Sequence, residues 1–372
     1  MKRPGVHGVY RVAMRNRGVT LVELMVGMLI GLLAVIVITQ VMLISEGQKR
    51  TTTGGSDAQV NAALALYAVQ RDVEMAGYGI TSSPTAIGCP ISARFNGAAP
   101  TGFVPILAPV VITREADRPA GSIGDAIRVF ASSKTTYSVP TRVAAPYVPG
   151  GLAFPVTASL GIRMDDLALI ADDPTQPCWV FQASANPTSE SVPRADNAAH
   201  WNSPGMPNIP YVTGSVLINL GTLVDNTYQI VGNTLQQVSF DLSSPNSRPT
   251  RDVQTEIVNM RALYGKDTTL PTPDGVVDLY DDVMPLNNAQ WQQVIAVRIV
   301  VVARSEQFEK EDITPANLLW DVGSTPPTTG AVACGAGSQC LTLGIDHIPN
   351  WKRYRYKQFD TVIPLRNMLW KS

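Results

Sequence analysis

From Leu24 to Ile44 the chain runs for 21 residues without a charged side chain, LMVGMLIGLLAVIVITQVMLI. A helix of that length covers roughly 30 Å, the thickness of a bilayer's hydrocarbon core. A polar stretch from Ser45 to Ser56 follows, with Thr51-Thr52-Thr53 and Gly54-Gly55 in it. β-branched residues and paired glycines weaken a helix, so the pattern predicts a bend or frayed turn there rather than a domain boundary. From Asp57 apolar residues return at helical spacing. Ala62, Leu66, Val69, Val73 and Ala76 form one stripe, Val60, Leu64 and Tyr67 widen it, and Gln70, Arg71 and Glu74 lie largely off it. Gly77 and Gly79 end the helix. Such a stripe is expected to pack on a sheet.

The remainder alternates between short apolar runs and turn residues, and Gly and Pro are slightly above ordinary usage. Ala126–Phe130, Leu167–Ala171, Trp179–Gln182 and Ser215–Leu220 read as short strands. Tyr228–Val231 and Thr234–Phe240 flank Gly232-Asn233, a hairpin signal. Val294–Arg304, VIAVRIVVVAR, is the clearest strand, and its β-branched enrichment suits a central position with Arg298 and Arg304 on one face. Residues 354–367 read as one or two closing strands. The expected fold class is α+β, a long N-terminal helix on an antiparallel β-rich head.

Charge changes the picture at the N-terminus. Residues 1–18 hold Lys2, Arg3, Arg11, Arg15 and Arg17 and no acid, although the whole chain has a formal net charge of -1. A basic flank leaves residues 1–17 in the cytoplasm and exports residues 45–372. An ordinary cleaved secretory signal fits less well. The apolar run exceeds the usual 7–15 residues or so, and no small-x-small site follows it. Glu23 sits at the lip of the run, where a carboxylate either marks a helix start or has a functional task.

The string Gly18-Val19-Thr20-Leu21-Val22-Glu23, with its basic leader and apolar sequel, resembles a type IV prepilin. That family has a Gly before the cleavage point and Glu at the fifth mature position. Its first mature residue is more often Phe, where this chain has Val19. The resemblance implies cleavage after Gly18 by a prepilin peptidase, N-methylation of Val19, and an inner-membrane anchor that becomes a filament-core helix. It also implies that Glu23 pairs with the α-amine of a neighbouring pilin, with Thr20 beside the pair. Residues 65–80, ALYAVQRDVEMAGYGI, are similar to the end of the long helix in PilW-type minor pilins and in the related J-type pseudopilins of type II secretion. Arg71-Asp72 and the turn Ala76 to Gly79 carry that likeness. Arg304-Ser305 and the ending Val362-Ile363-Pro364-Leu365-Arg366-Asn367 resemble PilW proteins as well.

The implied organisation is a leader over 1–18, a membrane and filament-core helix over 19–44, its amphipathic continuation over 45–79, and a periplasmic β-rich head over 80–372. Implied partners are the prepilin peptidase, other minor pilins and the major pilin, the inner-membrane assembly machinery and the lipid bilayer. The implied role is to co-assemble with other minor pilins, prime pilus assembly and sit at the tip, at the cell surface. A type II secretion pseudopilin and a pilin-anchored adhesin are the alternatives.

Four cysteines fall in the exported part, Cys89, Cys178, Cys334 and Cys340. An even count in an oxidising compartment reads as disulfides, and four cysteines allow three pairings. Cys334–Cys340 would close a short Gly-rich loop, and Cys89–Cys178 would cross the loop-rich half; this pairing is favoured. Zinc would need closely spaced ligands that the chain lacks. Asp267, Asp274-Gly275 and Asp278 have a faint calcium-loop flavour, but the acidic run is interrupted and a solvated turn reads better. No metalloprotease, nucleophile-elbow or phosphate-loop motif occurs, so neither an enzyme nor a cofactor is expected. No excess of Lys and Arg exists to neutralise phosphates, so nucleic acid is not an expected partner.

Overall fold

The computed structural model describes residues 18–370 apart from residues 104, 135–138, 174, 198–199, 325–327 and 336. The basic residues Lys2, Arg3, Arg11, Arg15 and Arg17 lie outside the described residues. One α-helix covers Leu21–Glu74. The chain divides into two compact units, one running through Thr53 and one from Gly54 onward.

The frayed turn expected over Ser45–Ser56 does not form, because the helix is continuous there. The Thr52 hydroxyl donates to the Gln48 carbonyl at 3.0 Å, so its polar group is satisfied inside the helix rather than competing with it. Gly54 has a packing reason: a Cβ there would lie 3.2 Å from the Ser305 Cβ. The stripe expected after Asp57 is buried as Ala62, Leu66, Val69, Val73 and Ala76, joined by Ala58 and Ala65. Val60, Leu64 and Tyr67 do not widen it, for all three are exposed on the opposite side. Periodicity placed the stripe, but its edges were set by the sheets it meets. Small alanines at 58, 62 and 65 let the helix backbone approach those sheets closely.

Two antiparallel sheets receive the stripe. The first has the order Leu279–Asp281, Ile257–Lys266, Val294–Arg304 and Tyr356–Pro364. The second has the order Thr250–Thr255, Thr234–Ser239, Val224–Val231, Ile123–Ala131 and Val110–Thr113. One core joins the helix to both, through Ile127, Tyr228, Met260, Val297 and Ile299 among others. The expected hairpin is present, with Val231 opposite Thr234 across Gly232-Asn233. Val294–Arg304 is central, flanked on both sides. Val297, Ile299, Val301 and Ala303 enter the helix-facing core, while Val300 and Val302 enter a second core with Trp320, Leu341 and Leu343. Burial on both faces explains its nearly continuous apolar run. Arg298 and Arg304 share the second face, each over an aromatic ring, Trp320 and Tyr354 respectively. The three-stranded sheet Leu318–Gly323, Gln339–Leu343 and Val332–Ala333 covers that face.

Buried charges tie these layers together. Asp125 accepts from Arg261 Nε at 3.1 Å and from the Ala262 and Glu115 amides at 3.0 and 2.9 Å. Burial pushes its carboxyl above the usual range, against the pull of Arg261. Asp225 is held by both Arg128 and Arg248. The end of the helix is finished by distant residues. Asn367 donates to the Met75 and Ala76 carbonyls at 3.3 and 3.0 Å, and Arg366 meets Glu74 at 3.0 Å. Only one closing strand forms near the C-terminus. After Pro364 the chain turns into the short helix Arg366–Leu369, whose buried Met368 anchors it.

The third sheet belongs to the middle of the chain, in the order Ile91–Ser92, Cys178–Gln182, Leu167–Ala171, Val216–Gly221 and Thr141–Arg142. Its first pairing is parallel, with Ile91 opposite Cys178, whereas the other strand pairings among the described residues are antiparallel. Two separate apolar clusters cover its two faces. The strand pair Ala153–Pro155 and Ser191–Pro193 lies over one of them.

Candidate functional site

Gly18, Val19 and Thr20 precede the helix in non-helical conformation. Thr20 starts it: its Oγ1 accepts the Glu23 amide at 3.3 Å, and its carbonyl accepts the Leu24 amide at 3.1 Å. This is half of a capping box, in which a Thr precedes a Glu by three residues and satisfies a donor that a helix start leaves open. Sequence reading missed this role for Thr20, although Thr-x-x-Glu is its signature. Glu23 lies in the first turn, where a carboxylate complements the helix dipole. Its carboxylate has no hydrogen bond or ion pair among the described residues, so it stays available to a cation. Gly18 is open on every side, with nothing within 4 Å of a Cβ built on it.

The helix beyond is exposed around its whole circumference through Ile44, including Leu29, Leu33, Ile36 and Val37. A helix that is apolar all round has no single packing face, and calls for lipid or other helices on every side. It is long and apolar enough to cross a membrane. Thr39 donates its hydroxyl to the Val35 carbonyl at 2.7 Å, which leaves no unmet donor on that side chain in an apolar surrounding.

The head carries the covalent and acidic features. Disulfides join Cys89 to Cys178 and Cys334 to Cys340, and no described cysteine is free. Asp267, Asp274 and Asp278 do not converge. Asp267 accepts the Thr269 and Gly275 amides, Asp274 accepts the Val276 amide, and Asp278 accepts from Thr268 and Thr269. Each carboxylate thus closes its own turn. These amide and hydroxyl bonds hold the Asp278 carboxyl below its usual range. No group of three or more His, Cys, Asp or Glu suited to a metal occurs among the described residues. Arg71 and Asp72 do different jobs. Arg71 is exposed, while Asp72 accepts from Tyr228, Asn226 and Gln237 at 2.7, 3.0 and 3.1 Å.

Residues 223–367 match the family described as type IV pilus-assembly protein W. They contain the whole four-stranded sheet and the hairpin of the second, the elements on which the helix packs. Residues 13–39 match the prokaryotic N-terminal methylation motif. Compared with curated proteins and with solved structures, the chain matches none. A methylation motif opening a wholly apolar helix, joined to a β-rich head whose second half matches the pilus-assembly family, supports a PilW-family type IV pilin.

Proposed function

We propose that the protein is a structural, non-catalytic minor pilin that co-assembles with other minor pilins to prime type IV pilus assembly and sits at the tip. The observation that carries this reading is the coincidence of two family signatures on one chain, the methylation motif at the start of the apolar helix and the pilus-assembly domain in the head. The match to a pilus-assembly family favours the pilus over a secretion pseudopilin. Prepilin peptidase cuts after Gly18, and Val19 becomes the N-methylated first residue. Before assembly the apolar helix spans the inner membrane once, with the head in the periplasm. Assembly carries it into a filament core, among major and minor pilins.

Glu23 supplies the electrostatic part. The new α-amine of a neighbouring subunit's first residue enters an apolar surrounding, where an unpaired charge costs several kcal/mol. A free carboxylate four positions inside the mature chain offsets that cost. Insertion needs only the apolar run and its basic flank, so Glu23→Ala should insert normally and be recruited poorly. Mass spectrometry of the mature N-terminus, membrane fractionation and co-purification with other minor pilins test this together. An unmethylated Met1 terminus in assembled pili, or wild-type recruitment of the alanine variant, would refute it.

A further inference from the structure

A cavity of about 520 Å³ opens on the middle part of the head, lined by Asn96, Asp165, Gln182, Asn197, His200 and Asn202 together with Gly97. That volume lies within the range of about 300–1,000 Å³ typical of small-molecule sites. None of it belongs to the pilus-assembly match at 223–367.

The fold assembles this site from four distant segments. The Cys89–Cys178 disulfide and the parallel register of Ile91 with Cys178 lay Ile91 and Ser92 alongside the Cys178–Gln182 strand, and the Asn96 amide bonds the His200 carbonyl at 2.8 Å. Asn96 therefore arrives near Gln182. Asn96 and Gly97 form the tip of a tight turn, with φ of 49° and 84° and the Phe95 and Ala98 amides bonded across it. Asp165 and Asn197 also have positive φ, 71° and 54°. Among the described residues, half of the six non-glycine residues in this conformation line one cavity, and such backbone persists only where its surroundings hold it. Here they do. Trp201 is buried among Phe95, Phe103 and Phe240, and its indole donates to the Leu242 carbonyl at 3.1 Å. The buried Arg194 guanidinium bonds to the Gly151 and Ser203 carbonyls.

The floor is fixed and the rim is free. Asn202 uses both ends of its amide, accepting the Gln182 amide at 3.0 Å and donating to the Gln182 carbonyl at 2.8 Å. Gln182 Nε2 donates to the Asp165 carbonyl at 3.2 Å, which leaves its Oε1 unengaged. His200 Nδ1 donates to Asn96 Oδ1 at 2.8 Å, so its Nε2 and the Asn96 amide nitrogen remain available. The Asp165 carboxylate and the Asn197 amide have no partner among the described residues.

These groups define a ligand class. No Lys or Arg lines the cavity, and a carboxylate stands at its rim, so an anion is disfavoured. Asp165 is the single carboxylate in the lining, and no group of three or more His, Cys, Asp or Glu suited to a metal occurs among the described residues, so a cation is a poor fit. The lining is polar, so an apolar ligand would leave amides unpaired. What remains is a neutral molecule whose groups donate and accept at adjacent atoms, as amides do. We propose that this cavity binds an uncharged saccharide, its hydroxyls bridging the Gln182 floor and the Asn197, His200 and Asp165 rim. The minor pilin would then carry a glycan-binding function separate from its place in assembly.

The test uses the full chain in lipid nanodiscs and four probes, the methyl glycosides of mannose, galactose, glucose and N-acetylglucosamine. Saturation-transfer NMR should detect at least one of them, with a dissociation constant at or below the order of 10 mM. Gln182→Leu and Asn197→Gly should each weaken it about tenfold or more. The second variant removes an exposed amide while keeping the positive φ, so its effect does not depend on the fold. Absence of signal for all four probes, unchanged binding in Asn197→Gly, or displacement of the glycoside by putrescine at equal concentration would overturn the proposal.

Discussion

The Asp72 carboxylate, near the end of the long helix, accepts the Tyr228 hydroxyl at 2.7 Å from the neighbouring sheet. Asn226 and Gln237 donate to the same Oδ2. One acid thus gathers two adjacent strands under the helix. Asp72→Ala leaves three donors short of an acceptor, and charged hydrogen bonds of this kind contribute about 1.5–3 kcal/mol each before relaxation. We expect a loss of about 2–3 kcal/mol and a midpoint lower by about 5 °C in thermal unfolding followed by circular dichroism. Tyr228→Phe should lose roughly 1 kcal/mol. An unchanged midpoint in both variants would show that the contact is incidental.

Alkaline pH should loosen the head. Burial lifts the Tyr211, Tyr228, Tyr264 and Tyr356 phenols well above the ordinary value near 10, and the bond to Asp72 lifts Tyr228 further. Above about pH 10 the unfolded chain ionises these groups while the folded chain keeps its protons. Their contribution is fully present below about pH 10 and is lost as pH rises beyond it. Urea midpoints should be level from about pH 8 to 9.5 and fall above that. Tyr228→Phe should reduce the alkaline slope.

The two disulfides should differ in worth. Cys89–Cys178 spans a sequence separation of 89 and Cys334–Cys340 one of 6. Loop-closure entropy then assigns about 4–5 kcal/mol to the first and about 2 kcal/mol to the second. Paired Cys→Ala variants compared by urea unfolding would measure both, after non-reducing peptide mapping of the native protein has located each link. Equal losses would contradict the entropic account.

Gly54 and Gly55 are neighbours with opposite tolerances. A Cβ at Gly55 meets nothing within 4 Å, so Gly55→Ala should stabilise the helix by about 0.5–1 kcal/mol. At Gly54 the Ser305 side chain is already in contact range, and Gly54→Leu should cost about 1–3 kcal/mol through overpacking. Thermal midpoints that move in the same direction for both would sink this distinction.

Processing can be read on a gel. The peptide at Gly18 is open, and a branched side chain there should obstruct a peptidase that needs extended backbone. Gly18→Val should accumulate as a longer, membrane-retained precursor in an immunoblot. A normally shortened product would exclude cleavage at this position.

Much of the scaffold was legible because single strands announced themselves. Val294–Arg304 is β-branched along most of its length, and Gly232-Asn233 sits between two apolar runs. The strand beside it, Ile257–Lys266, escaped notice. Its Met260, Arg261, Ala262 and Leu263 are helix formers, and burial of both faces removes the alternation that marks a strand. Only pairing with Val294–Arg304 decides its state. At the N-terminus, Gly18 and Glu23 were visible as a motif, since their spacing is local. The polar cavity was not, because Asn96 and Gln182 are brought together by a disulfide and a parallel register that no local pattern encodes. Asn96-Gly97 was the one available signal, a turn dipeptide.

The Ala76 carbonyl finds its donor on Asn367, 291 positions along the chain. A helix end ordinarily closes with residues that follow it within a turn or two. Here almost the entire head must be made and folded before that closure exists. Without the segment from Tyr356 to Asn367 the Ala76 carbonyl would lack this donor and Val294–Arg304 would lack its edge partner. The end of the long helix and the last segment of the head are thereby one unit, and a change at Asn367 acts on a helix terminus 291 positions away.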